Sequence, residues 1–322
     1  MAMRISEWVD VDGLAPVARH VFDFAITQLA DGSALTVPIQ VAIGSRRRPR
    51  CVAIAGIHGD EPEGMLALLD FWRACDPTDL RGTIILIPVA NPSAFAAHQR
   101  RNPLDGLDLN RIFPGKVDGT PSERLAYHLV HDVIAEADFV FTLHSWFATG
   151  MVTPYAELPE GSGPIAQRSR EAAVAAGFKR LREGGWFPGV LGTTAVELGV
   201  PVIEAEVGGG GSTSEENRRA YVQYFARLLQ HLGILEGTPP PNPAPEFYDR
   251  GMLYAPAGGM FRVRVSPGDC VDAGAGLATI TDLHGETLVE MRAPYAGLVA
   301  AVRRFVSVNP GELVIALFPR RR

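Results

Sequence analysis

Residues 51–64 read Cys51-Val52-Ala53-Ile54-Ala55-Gly56-Ile57-His58-Gly59-Asp60-Glu61-Pro62-Glu63-Gly64. An apolar run ends in glycine, and a proline then opens a stretch with helical spacing. That is a buried strand passing through a tight turn into a helix, the unit from which α/β sheets are built. Pro62 suits the first turn of a helix, where its missing N–H costs little. Gly56 and Gly59 let the backbone turn sharply, so the imidazole of His58 and the carboxylate of Glu61 converge on one point. This HxxE supplies two ligands for a metal, whereas a catalytic zinc needs three protein groups and one open position.

Outward from this turn the pattern repeats. Residues 83–90, 139–143 and 201–207 are further apolar runs of strand length. Between the strands lie amphipathic stretches: 63–74 with Leu66, Leu69 and Trp72, and 122–135 with Leu125, Leu129 and Val133. A third helix, 215–232, is announced by Ser212 followed three residues later by Glu215, a capping-box pattern. Strands alternating with helices predict an α/β domain with a largely parallel sheet. The texture changes at 238–245, TPPPNPAP, a stiff connection that joins neither a helix nor a central strand. Beyond it, short β-like segments at 260–265, 276–281, 287–292, 298–302 and 313–318 alternate with glycine turns. Two units are therefore expected, 1–245 and a small all-β unit, 246–322.

The third zinc ligand is predicted to be His144, which ends the apolar run at 139–143. A histidine there sits at the carboxyl edge of the sheet, where open α/β folds bind ligands. His20, His98, His128, His131, His231 and His284 read as structural or exposed, and the HxxH of His128 and His131 as solvated. Glu204 and Glu206 share one face of the strand at 201–207, with Glu206 nearer the carboxyl edge and Gly208 to Gly211 behind it giving room for a substrate. A carboxylate beside a zinc-bound water can take its proton and pass it to a leaving nitrogen. The alternative is an ion pair from one glutamate to Arg100, Arg101 or Arg111. Residues 100–115, RRNPLDGLDLNRIFPG, form a loop rich in arginine and asparagine. It is either an anion-binding loop or a surface loop held by salt bridges.

Composition bounds the rest. The chain has 322 residues, 47% hydrophobic and 20% charged, as in a soluble globular protein. A net charge of −6 provides no global field for nucleic acid or anionic membrane. The runs Arg46-Arg47-Arg48 and Arg320-Arg321-Arg322 read as solvated loop and tail. Cys51, Cys75 and Cys270 make no metal-spaced pair and suggest buried thiols in a reducing compartment. Residues 1–10 hold no apolar signal core, and no run is long enough to span a membrane, so a cytoplasmic location is expected.

HGDE, the loop ending in LDLNRIFPG, the LHS after a strand, and EVGG together resemble the succinylglutamate desuccinylase/aspartoacylase family, of zinc carboxypeptidase-like fold. The resemblance covers residues 50–235 and continues into the β unit. In look it is closest to the bacterial branch that includes N-acetyl-diaminobutyrate deacetylase. It implies one Zn2+ held by His58, Glu61 and His144, with Glu206 as general base and acid. It also implies that Asn110 and Arg111 hold the substrate carboxylate and that an arginine before NPLDG polarises the scissile carbonyl; spacing to the proline favours Arg100 over Arg101. The arginines and lysine between His144 and Glu206 fit no side-chain-reading motif of the family, which leaves the substrate open. The β unit resembles the barrel-sandwich hybrid of biotinyl and lipoyl domains, but no lysine follows Lys179, so it carries no swinging arm. It is expected to narrow the pocket or make a homo-oligomer contact. The expected activity is hydrolysis of an N-acyl amino acid; the alternatives are a zinc carboxypeptidase and a non-catalytic metal-binding or ligand-sensing protein.

Overall fold

The computed structural model describes residues 2–242 and 244–321. Met1, Pro243 of the proline run and Arg322 of the terminal arginine run lie outside them. The main sheet is built from β1 (Ala18–Gln28), β2 (Ala34–Ile43), β3 (Arg50–Ala55), β4 (Thr83–Ile87), β5 (Phe139–His144), β6 (Gly150–Glu157) and β7 (Val202–Gly209), extended by β8 (Gly297–Arg303) and β9 (Leu313–Phe318). Across the sheet the order is β1-β2-β4-β3-β5-β7-β6-β8-β9. β4, β3, β5 and β7 are mutually parallel, and the flanking pairs are antiparallel. This is the mixed α/β architecture the sequence predicts.

The parallel centre is apolar on both faces because helices cover both. On one face, α1 (Pro62–Ala74), α3 (Pro164–Ala176) and α4 (Glu215–His231) pack on Cys51, Ala53, Ala55, Phe141 and Leu143. The small side chains of β3 let α1 approach closely, and Phe71 of α1 meets Phe225 of α4 with ring centroids 4.7 Å apart. On the other face, α2 (Pro121–His128) and the short helix Leu191–Glu197 cover Val52, Ile54, Val140 and Val202. That second face turns polar toward the strand ends: Val140 is followed at spacing two by Thr142 and His144, and Val202 by Glu204 and Glu206.

Several local expectations shift. The buried side of α1 is Met65, Leu68, Phe71 and Trp72, while Leu66 is exposed, so the amphipathic face is rotated from the predicted one. The cap of α4 is Ser214, accepting from Asn217 N at 3.0 Å, not Ser212. A full capping box stands instead at α2, between Thr120 and Glu123. The helix predicted over 122–135 becomes π-helical from Leu129 to Ile134. Of the cysteines, Cys51 is buried, Cys75 half-buried and Cys270 exposed. Among the described residues, no helix is long and apolar enough to cross a membrane.

Beyond the proline run, β8 pairs with β6, so the C-terminal strands join the main sheet edge to edge. A separate four-stranded antiparallel sheet packs its own core around Phe261, Ile280 and Leu317.

Candidate metal centre and active site

β3 and β5 are adjacent, but the chain leaves their carboxyl ends in opposite directions, to α1 and β4 from one and toward β6 and β7 from the other. A crevice opens at such a switch point. His58 and Glu61 enter it from the turn after β3. Gly59 is required there because a Cβ would lie 2.0 Å from the backbone of Ala94. Glu61 occupies the N-cap position of α1 but makes no capping hydrogen bond. Its carboxylate points into the crevice instead.

His58, Glu61 and His144 are all buried, and each offers a ligand atom within 4.8 Å of the others. His144 Nδ1 lies 2.9 Å from Glu61 Oε2. His58 Nδ1 lies 2.8 Å from Glu61 Oε1 yet has no hydrogen-bond partner, and His144 Nε2 also has none. Two imidazoles and a carboxylate, enclosed and with unpaired ring nitrogens, fit the three-ligand set of a catalytic zinc site. His58 Nε2 is 3.1 Å from Asp108 Oδ1, the carboxylate–histidine contact that orients a metal-binding ring. Behind the site, the Tyr221 hydroxyl donates to the backbone carbonyls of His144 and Ala205, tying the ends of β5 and β7 together.

Arg100 spans the two carboxylates, Nη1 3.2 Å from Glu61 and Nε 3.0 Å from Asp108, and lies over the Phe147 ring. Arg101 instead reaches the Gly106 carbonyl at the surface. Asn110 accepts from Leu191 N at 2.8 Å through Oδ1, which leaves its amide N–H groups free. Arg111 donates to the Asn110 carbonyl and lines the cavity. In register, His144 of β5 faces Glu206 of β7, which faces Tyr155 of β6. Glu206 reaches the cavity while its Oε2 is enclosed without a partner. Among the described residues neither Glu204 nor Glu206 makes an ion pair with an arginine. The histidines outside the site do not line the cavity; His128 binds Asp132 and His131 is exposed.

Burial resists the charge of Glu61, but His58 and His144 hold it well below the usual carboxylate range. Asp108 is also desolvated, yet its hydrogen bond to His58 and the nearby Arg100 hold it low. For His144, burial works against the proton, but Glu61 outweighs it and raises the ring to about 9. Burial raises Glu204 to about 7. Burial and the charge of Glu61 push Glu206 well above the ordinary value.

The cavity, about 670 Å3 and open to solvent, gathers His58, Glu61, His144, Arg100, Asn110, Arg111 and Glu206 on one lining. It also contains residues that sequence reasoning did not single out. Asp108, in the quoted DLNR stretch, was not singled out either; it stands behind the lining, against His58 and Arg100. Tyr155, Glu157 and Trp186 belong to a strand and loop with no motif. Arg250, Met252 and Leu313 come from beyond the proline run. The glycines after Glu206 do not line the cavity. All four have positive φ, and a Cβ on Gly208 would lie 2.3 Å from Glu63 Oε1, so backbone conformation, and at Gly208 and Gly209 close packing, requires them rather than spare room.

Residues 47–232 match the succinylglutamate desuccinylase/aspartoacylase catalytic domain. The chain belongs to that family. It is 30% identical over 300 residues, 88% of this chain and 86% of the other, to the N-alpha-acetyl-L-2,4-diaminobutyric acid deacetylase of Halomonas elongata. The product-bound structure of the ectoine utilization protein EutE of Ruegeria pomeroyi superposes with a TM-score of 0.87 at 26% identity, covering 94% of this chain and 97% of that one. A succinylglutamate desuccinylase/aspartoacylase structure from Rhodobacter sphaeroides, 24% identical, shares the fold with a TM-score of 0.89 over 98% of both chains. As a succinylglutamate desuccinylase/aspartoacylase family member, the chain is an amidohydrolase, a deacylase.

Proposed function

We propose that the protein hydrolyses the amide bond of a small N-acyl amino acid with one Zn2+ bound by His58, Glu61 and His144. The observation that carries this is the joining of an enclosed His-Glu-His group to a second carboxylate, Glu206, in register beside it. Bound zinc supplies Lewis acidity, polarising a carbonyl and lowering the pKa of water to about 7. Glu206 takes the proton of the attacking water and returns it to the departing nitrogen. It needs a cationic neighbour to ionise, because burial and Glu61 otherwise keep it protonated. Arg100 has Nη2 uncommitted among the described residues and donates to the developing oxyanion. Asn110 and Arg111 bind the substrate carboxylate through N–H groups that have no partner among the described residues.

Residues 1–245 form the catalytic unit. Residues 246–322 form a β unit without a carrier lysine, which narrows the pocket through Arg250, Met252 and Leu313. The Halomonas relative makes acetyl the first acyl group to try, in a cytoplasmic, small-molecule setting. The test is a panel of N-acyl amino acids and peptides on zinc-loaded protein. Release of amino acid from acyl amino acids is expected. Cleavage of peptides alone means a carboxypeptidase, and zinc binding without hydrolysis means a sensor.

A further inference from the structure

Beneath the row of His144, Glu206 and Tyr155 lies a second charged row that no step of the hydrolysis uses. Register aligns Thr142, Glu204, Glu157 and Arg182 across β5, β7, β6 and the short strand Arg180–Arg182. Glu157 is fully engaged: Arg182 Nη2 at 2.6 Å, Trp186 Nε1 at 2.8 Å and the Tyr155 hydroxyl at 3.1 Å all reach it. Glu204 is not. It is only 5% exposed yet lines the cavity, and its one hydrogen bond among the described residues is from Gly192 N to Oε1 at 3.0 Å. Oε2 accepts no hydrogen bond from the described residues, and across the register Thr142 Oγ1 is buried without a partner among them.

Arg182 balances Glu157, so Glu204 is the carboxyl group of this row left without a cationic partner. At the rim the sign is reversed: Arg111, and Arg250 stacked 4.3 Å over Phe187, are cationic. A pocket positive at the rim and negative at the floor repels an acidic side chain from the floor. An apolar side chain would leave a desolvated carboxylate unpaired.

We infer that Glu204 is the specificity-determining residue that receives an ammonium group on the substrate side chain, so that the preferred substrate is an N-acyl amino acid with a second, free amine. The inference rests on the deacylase function proposed above. Two residues along a strand is about 7 Å, a separation that a short aminoalkyl chain covers between the scissile amide and Glu204. Glu204 acts by binding; it touches no reacting bond.

The test compares zinc-loaded wild-type protein and Glu204→Gln on N-acetyl-2,4-diaminobutyrate and N-acetylnorvaline, which differ by a terminal ammonium in place of a methyl group. Wild type should favour the diamino compound in kcat/KM by about 30-fold or more. Glu204→Gln, which keeps the volume, should lose that preference through its rate on the diamino compound alone. Equal rates in wild type, a preference for N-acetylglutamate, or a preference that survives in the variant would each overturn the inference. Calorimetric binding of free 2,4-diaminobutyrate and norvaline separates this question from turnover. Tighter diamine binding that the variant loses, without hydrolysis of any amide, keeps the subsite and removes the deacylase function. Hydrolysis with equal binding of the two amino acids removes the subsite and keeps the deacylase.

Discussion

Two pairs of carboxylates stand on opposite sides of one site, and burial works against the charge of all four. Glu61 and Asp108, on the side of β3 and the loop, are held ionised by His58, His144 and Arg100. Glu204 and Glu206, on β7, have no such partners and are pushed toward the neutral form. The difference lies in company, not in depth. A desolvated carboxylate with hydrogen-bonded cations is a fixed anion suited to ligation, and one without them is a proton store or a receptor for an incoming cation.

The contrast breaks most visibly at Glu206. Glu206→Gln should keep zinc, measured by metal analysis, and lower kcat by about 10^2 to 10^4. Full activity would remove Glu206 from the chemistry. Next comes Glu204 in the metal-free protein. Its folded pKa of about 7 lies above the ordinary carboxylate value of 4.5. The native state therefore binds the extra proton between these values, and the contribution to stability is present below pH 4.5 and lost as pH rises through 7. Urea melts at pH 5 and pH 8 should show Glu204→Gln stabilised relative to wild type at the higher pH only, by up to about 3 kcal/mol. On the opposite wall, Asp108→Asn frees His58 Nε2 from its orienting anion and should weaken zinc binding by about 10- to 100-fold in a chelator competition. The gentlest change, taken one pH unit at a time, is that of pH on metal binding. His144, raised to about 9, must shed its proton to ligate, so zinc affinity should fall by about tenfold per pH unit below 9. An affinity flat between pH 6 and 8 would show that His144 is not a ligand.

The ligating wall was the more legible of the two in the sequence. His58 and Glu61 are local to one turn, and His144 ends an apolar run, so chain position alone brought them to strand ends. Strand parity put Glu204 and Glu206 on one face without choosing between them, and Glu206 was singled out by its nearness to the carboxyl edge and by the EVGG resemblance. Spacing to the proline already favoured Arg100 over Arg101; the reason that Arg100 turns inward, its contact with Asp108 eight residues on, belongs to the fold. The row beneath Glu206 was hidden for the same reason. Glu157, Arg182 and Trp186 meet Glu204 only through an antiparallel crossing of β6 and β7 and one parallel pairing with Arg180–Arg182. The long hairpin of β1 and β2 is written as alternation, Phe22, Phe24 and Ile26, and not as a continuous apolar run, so it gives a weaker signal in the sequence. The rotated face of α1 has a similar origin: with apolar side chains at Met65, Leu66, Leu68 and Leu69, periodicity alone admits two registers.

The pairing of β8 with β6 gives the C-terminal strands a hold on the same ribbon that carries Tyr155 and Glu157. Glu204 and Glu206 sit on the parallel centre, while one part of the cavity wall, Arg250, Met252 and Leu313, comes from the segment after the proline run. Exchange of the segment after the proline run between homologues would thus amount to changing a lock's wards while leaving its bolt untouched, a route by which one hydrolytic core acquires new clients.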